Sequence, residues 1–347
     1  MARKVEFGIR LPVGGPLANT RDIARAAKRA DALGYDAVWV HDFIVWTHLQ
    51  DQTHVSCGAT ELVKDDTTPI FFESLTNLAY LAGITEHVKL GVAVLCVPYR
   101  NPIVAAKQLA NIDLLSNGRL ILGVGPGGAK DGNNRDFEVL GIPRRDKWNM
   151  TKEYIRVMQE IWTNEKPSFD GTYIKFEPTD LNPKPVQKPH PPLWGPGHIW
   201  KDGRPPASLS ITAELCDGWI PGFITPAEYP GRIRELKDMA RAAGRGNVDF
   251  VIGNEIPGCI AESDTIALER SRKTLGVYTE GFQSHPDQER ILGSAIVGSP
   301  ASIREKVQAF IEAGVDHFEI KFVYHSVDEL IREMELFAAE VIPAVAR

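Results

Sequence analysis

Two residues that could carry acid–base chemistry lie next to each other near the start of the chain. His41 and Asp42 directly follow the apolar run Asp36–Val40, and Trp46 lies four residues beyond Asp42. A histidine titrates near neutral pH, so it can donate a proton or a hydrogen bond to a developing anion. Successive side chains of a strand point to opposite faces, so we expect His41 and Asp42 to diverge unless the strand has already ended. We predict a catalytic role for His41 and Asp42, with a structural role at the rim of the barrel as the alternative for the histidine.

A glycine-rich stretch offers a second kind of chemistry. Gly123, Gly125, Gly127 and Gly128 lie at and beyond the end of the apolar run Leu120–Val124. Because glycine has no side chain, backbone amides at such positions can approach a phosphate or the edge of a ring. The pattern does not match a dinucleotide fingerprint, because no helix is predicted to open directly after it. A simple turn remains an alternative.

Composition and missing motifs exclude several classes of protein. The net charge of −6 comes without a run of Lys or Arg, which argues against nucleic acid as a partner. The four cysteines form no C-x-x-C pair, so we expect free, buried thiols and no metal site. Patterns typical of zinc proteases, serine hydrolases and P-loop enzymes are missing. The chain also has no apolar run of 18 residues, so we expect a cytoplasmic protein without a membrane partner.

Short apolar runs alternate along the chain with segments of helical periodicity. The helical pattern predicts one helix capped by Thr20 and ended by Gly34, and another capped by Ser326 with Glu329 completing a capping box. Further helices are predicted at Phe72–Ala82, Ile103–Leu115, Lys152–Trp162, Ser208–Leu215, Tyr229–Ala243 and Ser302–Ala313. The predicted strands are Val5–Leu11, Asp36–Val40, Val88–Leu95, Leu120–Val124, Pro192–Trp194, Gly218–Ile220, Phe250–Ile260 and Phe318–Phe322.

Strands that alternate with helices indicate a parallel sheet in the α/β class. Eight such units in a chain of 347 residues favour one closed (β/α)₈ TIM barrel, covering residues 1–347 as a single domain. An open Rossmann-like sheet is the alternative. Long insertions follow the second, fourth and fifth strands, at Trp46–Ile70, Gly125–Thr151 and Gly195–Pro206. Barrel enzymes place their chemistry at the carboxyl ends of the strands, so we expect these loops to wall a pocket.

The segment Leu90–Pro102, followed by Ala106–Ala110 and Asp113–Gly125, resembles the luciferase-like flavin-dependent oxidoreductases. The likeness continues in register through Phe137–Pro143 and the proline-rich stretch Pro183–Pro189. Further matches lie at Asp217–Trp219 and Gly298–Ile303, so the resemblance covers nearly the whole chain. It implies a (β/α)₈ barrel with a flavin or deazaflavin at the carboxyl ends of its strands.

The resemblance also implies which residues hold the cofactor. The segment Ala93, Val94 and Leu95 resembles the stretch of the third strand on which the ring rests, where many members have a cis peptide bond. Gly125, Gly127 and Gly128 resemble the first glycine cluster of the family; Gly195 and Gly197, with His198 beside them, resemble the phosphate-binding one. One departure concerns the second strand, where relatives commonly have an acidic residue followed by histidine. Here Phe43 follows Asp42, and the histidine precedes the acid. Trp46 lies close to where some deazaflavin-dependent relatives have a tryptophan in the catalytic pocket, so the resemblance implies a catalytic role for Trp46, with core packing as the alternative.

We therefore predict an oxidoreductase, in some relatives a monooxygenase, that uses F420 or FMN on a small, apolar or aromatic organic molecule. The signature Val97–Pro102 favours F420, and FMN would require a separate flavin reductase. Homodimers are common in the family, so we expect one here. Two alternatives are a non-catalytic flavin-binding barrel and a barrel lyase or aldolase without flavin. A lyase needs a lysine or a metal site at the strand ends, and Lys321 is the candidate lysine.

Overall fold

The computed structural model describes residues 3–45, 70–127, 134–197, 206, 208–281 and 292–345. Parallel strands form the barrel and are numbered in chain order. They are β1 (Glu6–Arg10), β2 (Ala37–Val40), β3 (Lys89–Cys96), β4 (Leu120–Gly125), β5 (Leu193–Gly195), β6 (Gly218–Trp219), β7 (Val251–Ile260) and β8 (His317–Phe322). All eight strands that the periodicity predicted are therefore present.

The pairing of the strands closes the sheet on itself. β1 pairs with β2 on one side and with β8 on the other, where Glu6 lies opposite His317. β3 pairs with β2 and β4, and β4 pairs with β5. β6 pairs with both β5 and β7, and β7 pairs with β8, so the ring has no open edge. The predicted TIM barrel is confirmed, and the Rossmann-like alternative is wrong. Beyond the ring, the short strand Ile296–Gly298 pairs with the far end of β7, which the sequence analysis did not predict.

Helices cover the outside of the barrel. They are Thr20–Leu33, Ser74–Ile84, Pro102–Leu115, Asn134–Val139, Lys147–Thr163, Leu209–Leu215, Tyr229–Ala242, Asp264–Gly281, Pro300–Glu312, Val327–Glu340 and Ile342–Val345. The cap of the first helix is Asn19, whose side chain accepts a hydrogen bond from the amide of Asp22, so the assignment to Thr20 was wrong. The helix end at Gly34 and the cap at Ser326 are confirmed, but the carboxylate of Glu329 accepts a hydrogen bond from the amide of His325 instead of completing a capping box with Ser326. Gly34 adopts a φ of 78°, which favours glycine.

Two small elements lie beside the barrel. Gly14–Gly15, just after β1, pairs antiparallel with Ile70–Phe71, and Phe169–Asp170 pairs with Lys175–Phe176. The first pairing matters for the site, because it brings Phe71 next to the end of β2. Sequence periodicity does not detect either element, since strands of two residues are too short to show alternation.

Large aromatic side chains fill the amino-terminal half of the barrel. The indole of Trp39 lies 2.5 and 2.2 Å from the positions that a Cβ would occupy at Gly8 and Gly91 on the neighbouring strands. Its Nε1 lies 3.1 Å from His317 Nε2, and the ring of Trp194 packs beside both. Glycines on β1 and β3 thus create the space that Trp39 occupies.

Other expectations concern the cysteines and the exclusion of metals and membranes. Cys96, Cys216 and Cys259 are free and buried, as predicted, and Cys57 lies outside the described residues. Within the described ranges, no group of three His, Cys, Asp or Glu side chains is arranged to hold a metal ion. The helices found there are all too short or too polar to cross a bilayer.

Candidate functional site

His41 lies at the carboxyl end of the barrel in aromatic surroundings. Its ring centroid is 5.1 Å from that of Phe71 and 5.2 Å from that of Phe43, and its side chain is buried. A Cβ at Gly14 would lie 2.7 Å from His41 Nε2, so the loop after β1 passes directly over the imidazole. The ribbon of Gly14–Gly15 and Ile70–Phe71 therefore encloses His41 at the mouth of the barrel. Trp46 lies outside the described residues.

Asp42 points away from His41 into a buried ion-pair cluster. Both of its carboxylate oxygens accept hydrogen bonds of 2.6 Å from Arg100. Ser74 Oγ donates to the same carboxylate at 2.8 Å, and the amide of Cys96 donates at 2.9 Å. A buried carboxylate with four donors is held in one orientation. This geometry suits a residue that fixes the ends of β2 and β3 better than one that exchanges protons.

The ends of β3 and β4 form an apolar ledge, defined here by Val94 and Gly125. The peptide bond between Ala93 and Val94 is cis, and the side chain of Val94 is partly exposed. A Cβ at Gly125 would lie 2.8 Å from Val94 Cγ2, so the glycine lets the two strands approach closely. Leu95 is buried and packs in the core outside the barrel. Ala93 and Val94 therefore face the mouth, whereas Leu95 does not.

The other predicted glycines also have neighbours within the protein. A Cβ at Gly127 would lie 3.0 Å from the hydroxyl of Tyr99, and one at Gly195 would lie 2.2 Å from Thr212 Oγ1. A Cβ at Gly197 would lie 2.9 Å from Leu209 Cδ1. Close packing alone explains why these positions lack a side chain. Gly128 and His198 lie outside the described residues.

Lys147 contacts the first glycine cluster through Gly127. Its Nζ donates a hydrogen bond of 2.9 Å to the carbonyl of Gly127 and lies 5.9 Å from the ring centroid of Phe137 and 5.3 Å from that of Trp148. Burial, with Arg144 nearby, lowers the pKa of Lys147. A half-buried ammonium at this position could attract an anionic group of a ligand.

Four charged side chains meet inside the barrel and were not predicted as a group. Arg10 of β1 forms an ion pair with Glu319 of β8, and Lys321 of β8 forms one with Glu255 of β7. The two pairs adjoin, because Arg10 Nη2 lies 3.8 Å from Glu255 Oε2. We call these four residues the charge quartet. The alternation of side chains along a strand could have indicated this group from the sequence. Arg10, Glu319 and Lys321 each occupy an inward position on a strand otherwise rich in apolar residues.

The quartet contacts the ledge through Arg10. Arg10 Nη2 donates a hydrogen bond of 3.1 Å to the carbonyl of Ala93, so one guanidinium bridges the quartet and β3. Glu319 is fully buried, and its Oε2 has no hydrogen-bond partner among the described residues. Burial raises the pKa of Glu319 to about 7, against the opposing effect of Arg10. A carboxyl group that titrates near neutrality therefore lies directly beneath the mouth.

Asp136 joins two loops at the mouth. Its Oδ1 accepts hydrogen bonds from the amides of Ile44, at 3.1 Å, and Val45, at 2.8 Å, in the segment that continues β2. The side chain is fully buried, and burial raises the pKa of Asp136 although these two amides oppose the shift. The loop after β4 therefore holds the loop after β2 in place.

Comparison with known proteins assigns the chain to a family. The model of the family described as luciferase-like monooxygenase matches residues 5–317. The chain belongs to this family. Its barrel also resembles that of a solved F420-dependent secondary alcohol dehydrogenase in complex with an F420–acetone adduct, with a TM-score of 0.77, 21% identity and coverage of 99% of this chain and 100% of the other. At that identity, the structural match shows the fold alone.

Relatives of this luciferase-like chain include enzymes with two different cofactors. An FMNH₂-dependent dimethylsulfone monooxygenase of Pseudomonas putida is 26% identical over 310 residues, which cover 79% of this chain and 78% of the relative. An F420-dependent glucose-6-phosphate dehydrogenase of Kineococcus radiotolerans is 28% identical over 342 residues, 92% of each chain. The family therefore includes flavin- and F420-dependent oxidoreductases.

The residues at the mouth of this luciferase-like barrel fit a flat, conjugated ring system. The ledge presents a partly exposed Val94 beside Gly125, and no larger side chain separates them. Apolar contact of this kind suits the face of a tricyclic ring, and Lys147 could attract its phosphate-bearing tail. Arg100 and Asn101 of the segment that favours F420 have structural partners, since Arg100 binds Asp42 and Asn101 caps the helix Pro102–Leu115.

Proposed function

We propose that this protein is an oxidoreductase that binds F420 or FMN at the carboxyl end of its barrel and uses the reduced cofactor to reduce or oxygenate a small, apolar or aromatic organic molecule. The sequence signature favours F420. The observation that carries the proposal is the ledge of Val94 and Gly125 at the mouth of a luciferase-like barrel. When bound, the cofactor supplies the electrons, and the protein orients it and the substrate.

Within this proposal, the ledge, Arg10 and His41 have different roles at the mouth of the barrel. The ledge supports the ring, and Arg10 fixes the backbone of the ledge by binding the carbonyl of Ala93. His41, enclosed by Phe43 and Phe71, follows the end of β2, the strand next to β3, where it can hydrogen-bond a polar atom of the ring or of the substrate. The aromatic surroundings of His41 suit an apolar guest.

Binding of the cofactor is the first test. The purified protein, freed of any bound cofactor, is titrated under anaerobic conditions with F420 and FMN, each oxidised and reduced, and absorbance and fluorescence are followed. We expect at least one reduced cofactor to bind with a Kd below about 10 µM. Failure of both cofactors to bind contradicts the proposal. Binding without turnover of any reductant or acceptor favours a non-catalytic flavin-binding barrel.

Substitution of Gly125 tests where the ring lies. In Gly125→Ala, the added Cβ would lie 2.8 Å from Val94 Cγ2, so Val94 must shift and the ledge loses its shape. Overpacking of this kind costs about 1–3 kcal/mol, and we expect cofactor affinity to fall about tenfold. Gly83→Ala is the matched control, because a Cβ there meets no atom within 4 Å. Equal affinities of the two variants would place the ring elsewhere.

A further inference from the structure

Lys321 has hydrogen-bonding capacity that the structure does not use. Its side chain is only 9% exposed, and its position on β8 places it inside the barrel, one inward step nearer the mouth than Glu319. An ammonium group has three N–H donors. Among the described residues, Lys321 makes one hydrogen bond, to Glu255. A mostly buried cation that keeps two donors unused is costly unless a ligand or water completes its shell.

Glu255 orients these donors. It is the more exposed member of the pair, with 23% of its side chain accessible, and it lies between Lys321 and Arg10. With Glu255 holding one N–H, the other two can only point away from it. The carboxylate of Glu255 thus fixes the orientation of the Lys321 ammonium but accepts a hydrogen bond from only one of its three N–H groups.

We propose that Lys321 is a catalytic residue that binds the carbonyl or hydroxyl oxygen of the substrate, so that the substrate is a small ketone, aldehyde or alcohol with an apolar body. This inference rests on the proposed function and names its substrate class. The apolar body would lie against Phe43 and Phe71, the aromatic side chains around His41, while the cofactor ring occupies the ledge. The substrate oxygen would point into the barrel toward the charge quartet, where Lys321 would donate a hydrogen bond to it.

The chemistry balances for a hydride transfer. When a carbonyl carbon gains a hydride, a C–H bond forms and the π pair of the C=O bond moves onto the oxygen. That oxygen takes a proton from the ammonium of Lys321, an O–H bond forms, and the neutral amine regains a proton from water. Both electrons come from the reduced deazaflavin or flavin. In the reverse direction, the amine takes the proton of the alcohol.

Substitution of Lys321 in cofactor-loaded protein tests the assignment. Protein carrying whichever reduced cofactor it binds is mixed anaerobically with acetophenone or cyclohexanone, and reoxidation of the cofactor is followed by absorbance. We expect Lys321→Met to lower kcat/KM for the ketone about 100-fold, and Lys321→Arg, which keeps the charge, to lower it less. Lys175→Met is the control, because Lys175 is exposed and pairs only with Asp170 among the described residues.

Ketone binding without turnover gives a second readout. Calorimetry with the oxidised cofactor bound should show acetophenone binding about tenfold more weakly to Lys321→Met than to the unaltered protein. The double variant Lys321→Met with Glu255→Gln leaves no unpaired charge in the barrel. If circular dichroism shows that Lys321→Met alone fails to fold, the double variant is used in its place.

The possible results distinguish a failure of the role assigned to Lys321 from a failure of the proposed function. Loss of ketone turnover and affinity, with cofactor Kd unchanged within about twofold, supports the role of Lys321. If the unaltered protein binds its cofactor but neither ketone, or if Lys321→Met behaves as the unaltered protein does, the assignment of Lys321 is wrong and the proposed function stands. If no cofactor binds, the proposed function itself fails.

Discussion

The two ends of this barrel differ in how completely their charged side chains are satisfied. At the amino end, Lys89 pairs with Glu6, and Glu6 also binds His317. Burial alone would raise the pKa of Glu6, but His317 and Lys89 lower it to about 2. Arg119 donates to backbone carbonyls that include those of Val88, at 2.7 Å, and Thr85, at 2.9 Å. The cations there are held by the protein itself.

At the carboxyl end, some charged groups lack a full set of hydrogen-bond partners among the described residues, and the strand ends expose an apolar surface. Lys321 keeps donors unused, and Glu319 has one oxygen without a partner among the described residues. Val94 and Gly125 leave an apolar ledge where larger side chains would fill the barrel. The contacts at the amino end stabilise the fold, whereas the proposed function places the ligand at the carboxyl end, where barrels of this type have their chemistry.

The largest effect should follow a change at the amino end. Trp39→Ala removes a fully buried indole that Gly8 and Gly91 are shaped to admit, so it should cost about 3–5 kcal/mol of stability. Trp148→Ala, at a residue that is 38% exposed, is the control and should cost about 1 kcal/mol or less. Denaturant unfolding measures both. A loss at Trp39 no larger than at Trp148 would break the distinction between the two ends.

The next effect concerns pH. In the folded protein Glu319 titrates at about 7, against 4.5 for its ordinary value, so between these pH values the folded state binds more protons than the unfolded state. Its contribution to stability is therefore complete below pH 4.5 and is lost as pH rises through 7, by up to about 3 kcal/mol. Glu319→Gln should match the unaltered protein at low pH and exceed it above pH 7.

The prediction is tested by measuring the free energies of unfolding of Glu319→Gln and of the unaltered protein from pH 4.5 to 8. Glu333, whose pKa burial raises to about 8 against the effect of Arg270, contributes a similar slope from outside the barrel, so Glu333→Gln serves as the reference. Parallel curves for Glu319→Gln and the unaltered protein would mean that the carboxyl of Glu319 is not perturbed in the folded state.

A smaller effect should follow at the loops of the mouth. Asp136→Leu leaves the amides of Ile44 and Val45 without their acceptor, which costs about 1–2 kcal/mol, whereas Asp136→Asn retains an acceptor oxygen. Hydrogen exchange of these two amides should accelerate in Asp136→Leu and change little in Asp136→Asn. Unchanged exchange in Asp136→Leu would show that the loop after β2 is held by other contacts.

Most of the fold could be predicted from the sequence, because short apolar runs that alternate with helical segments mark barrel strands even without alternation inside the run. Gly218–Trp219 was found this way although it is only two residues long. The strand Ile296–Gly298 was missed, because three residues beside a polar segment show no period. The helix Asp264–Gly281 was missed as well, since its apolar residues form no clear stripe.

The site was less predictable, because its chemistry depends on which side chains meet across the barrel. Local spacing identified His41 and Asp42 but gave no sign that Arg100, 58 positions away, binds the carboxylate of Asp42. The partners Arg10 and Glu319 are 309 positions apart, a separation at which one sequence carries no pairing signal. The glycines were found, but the neighbours that require them were not.

The most direct test of the central claim is a crystal structure of the protein with its cofactor. We predict density for a flat tricyclic ring against Val94 and Gly125, with its phosphate-bearing tail toward the ends of β4 and β5. The competing location is the cavity of about 330 Å³ at the amino end, which Trp194 lines and where its indole N–H has no hydrogen-bond partner among the described residues. A ring bound there, or at any place away from the ledge, would contradict the account.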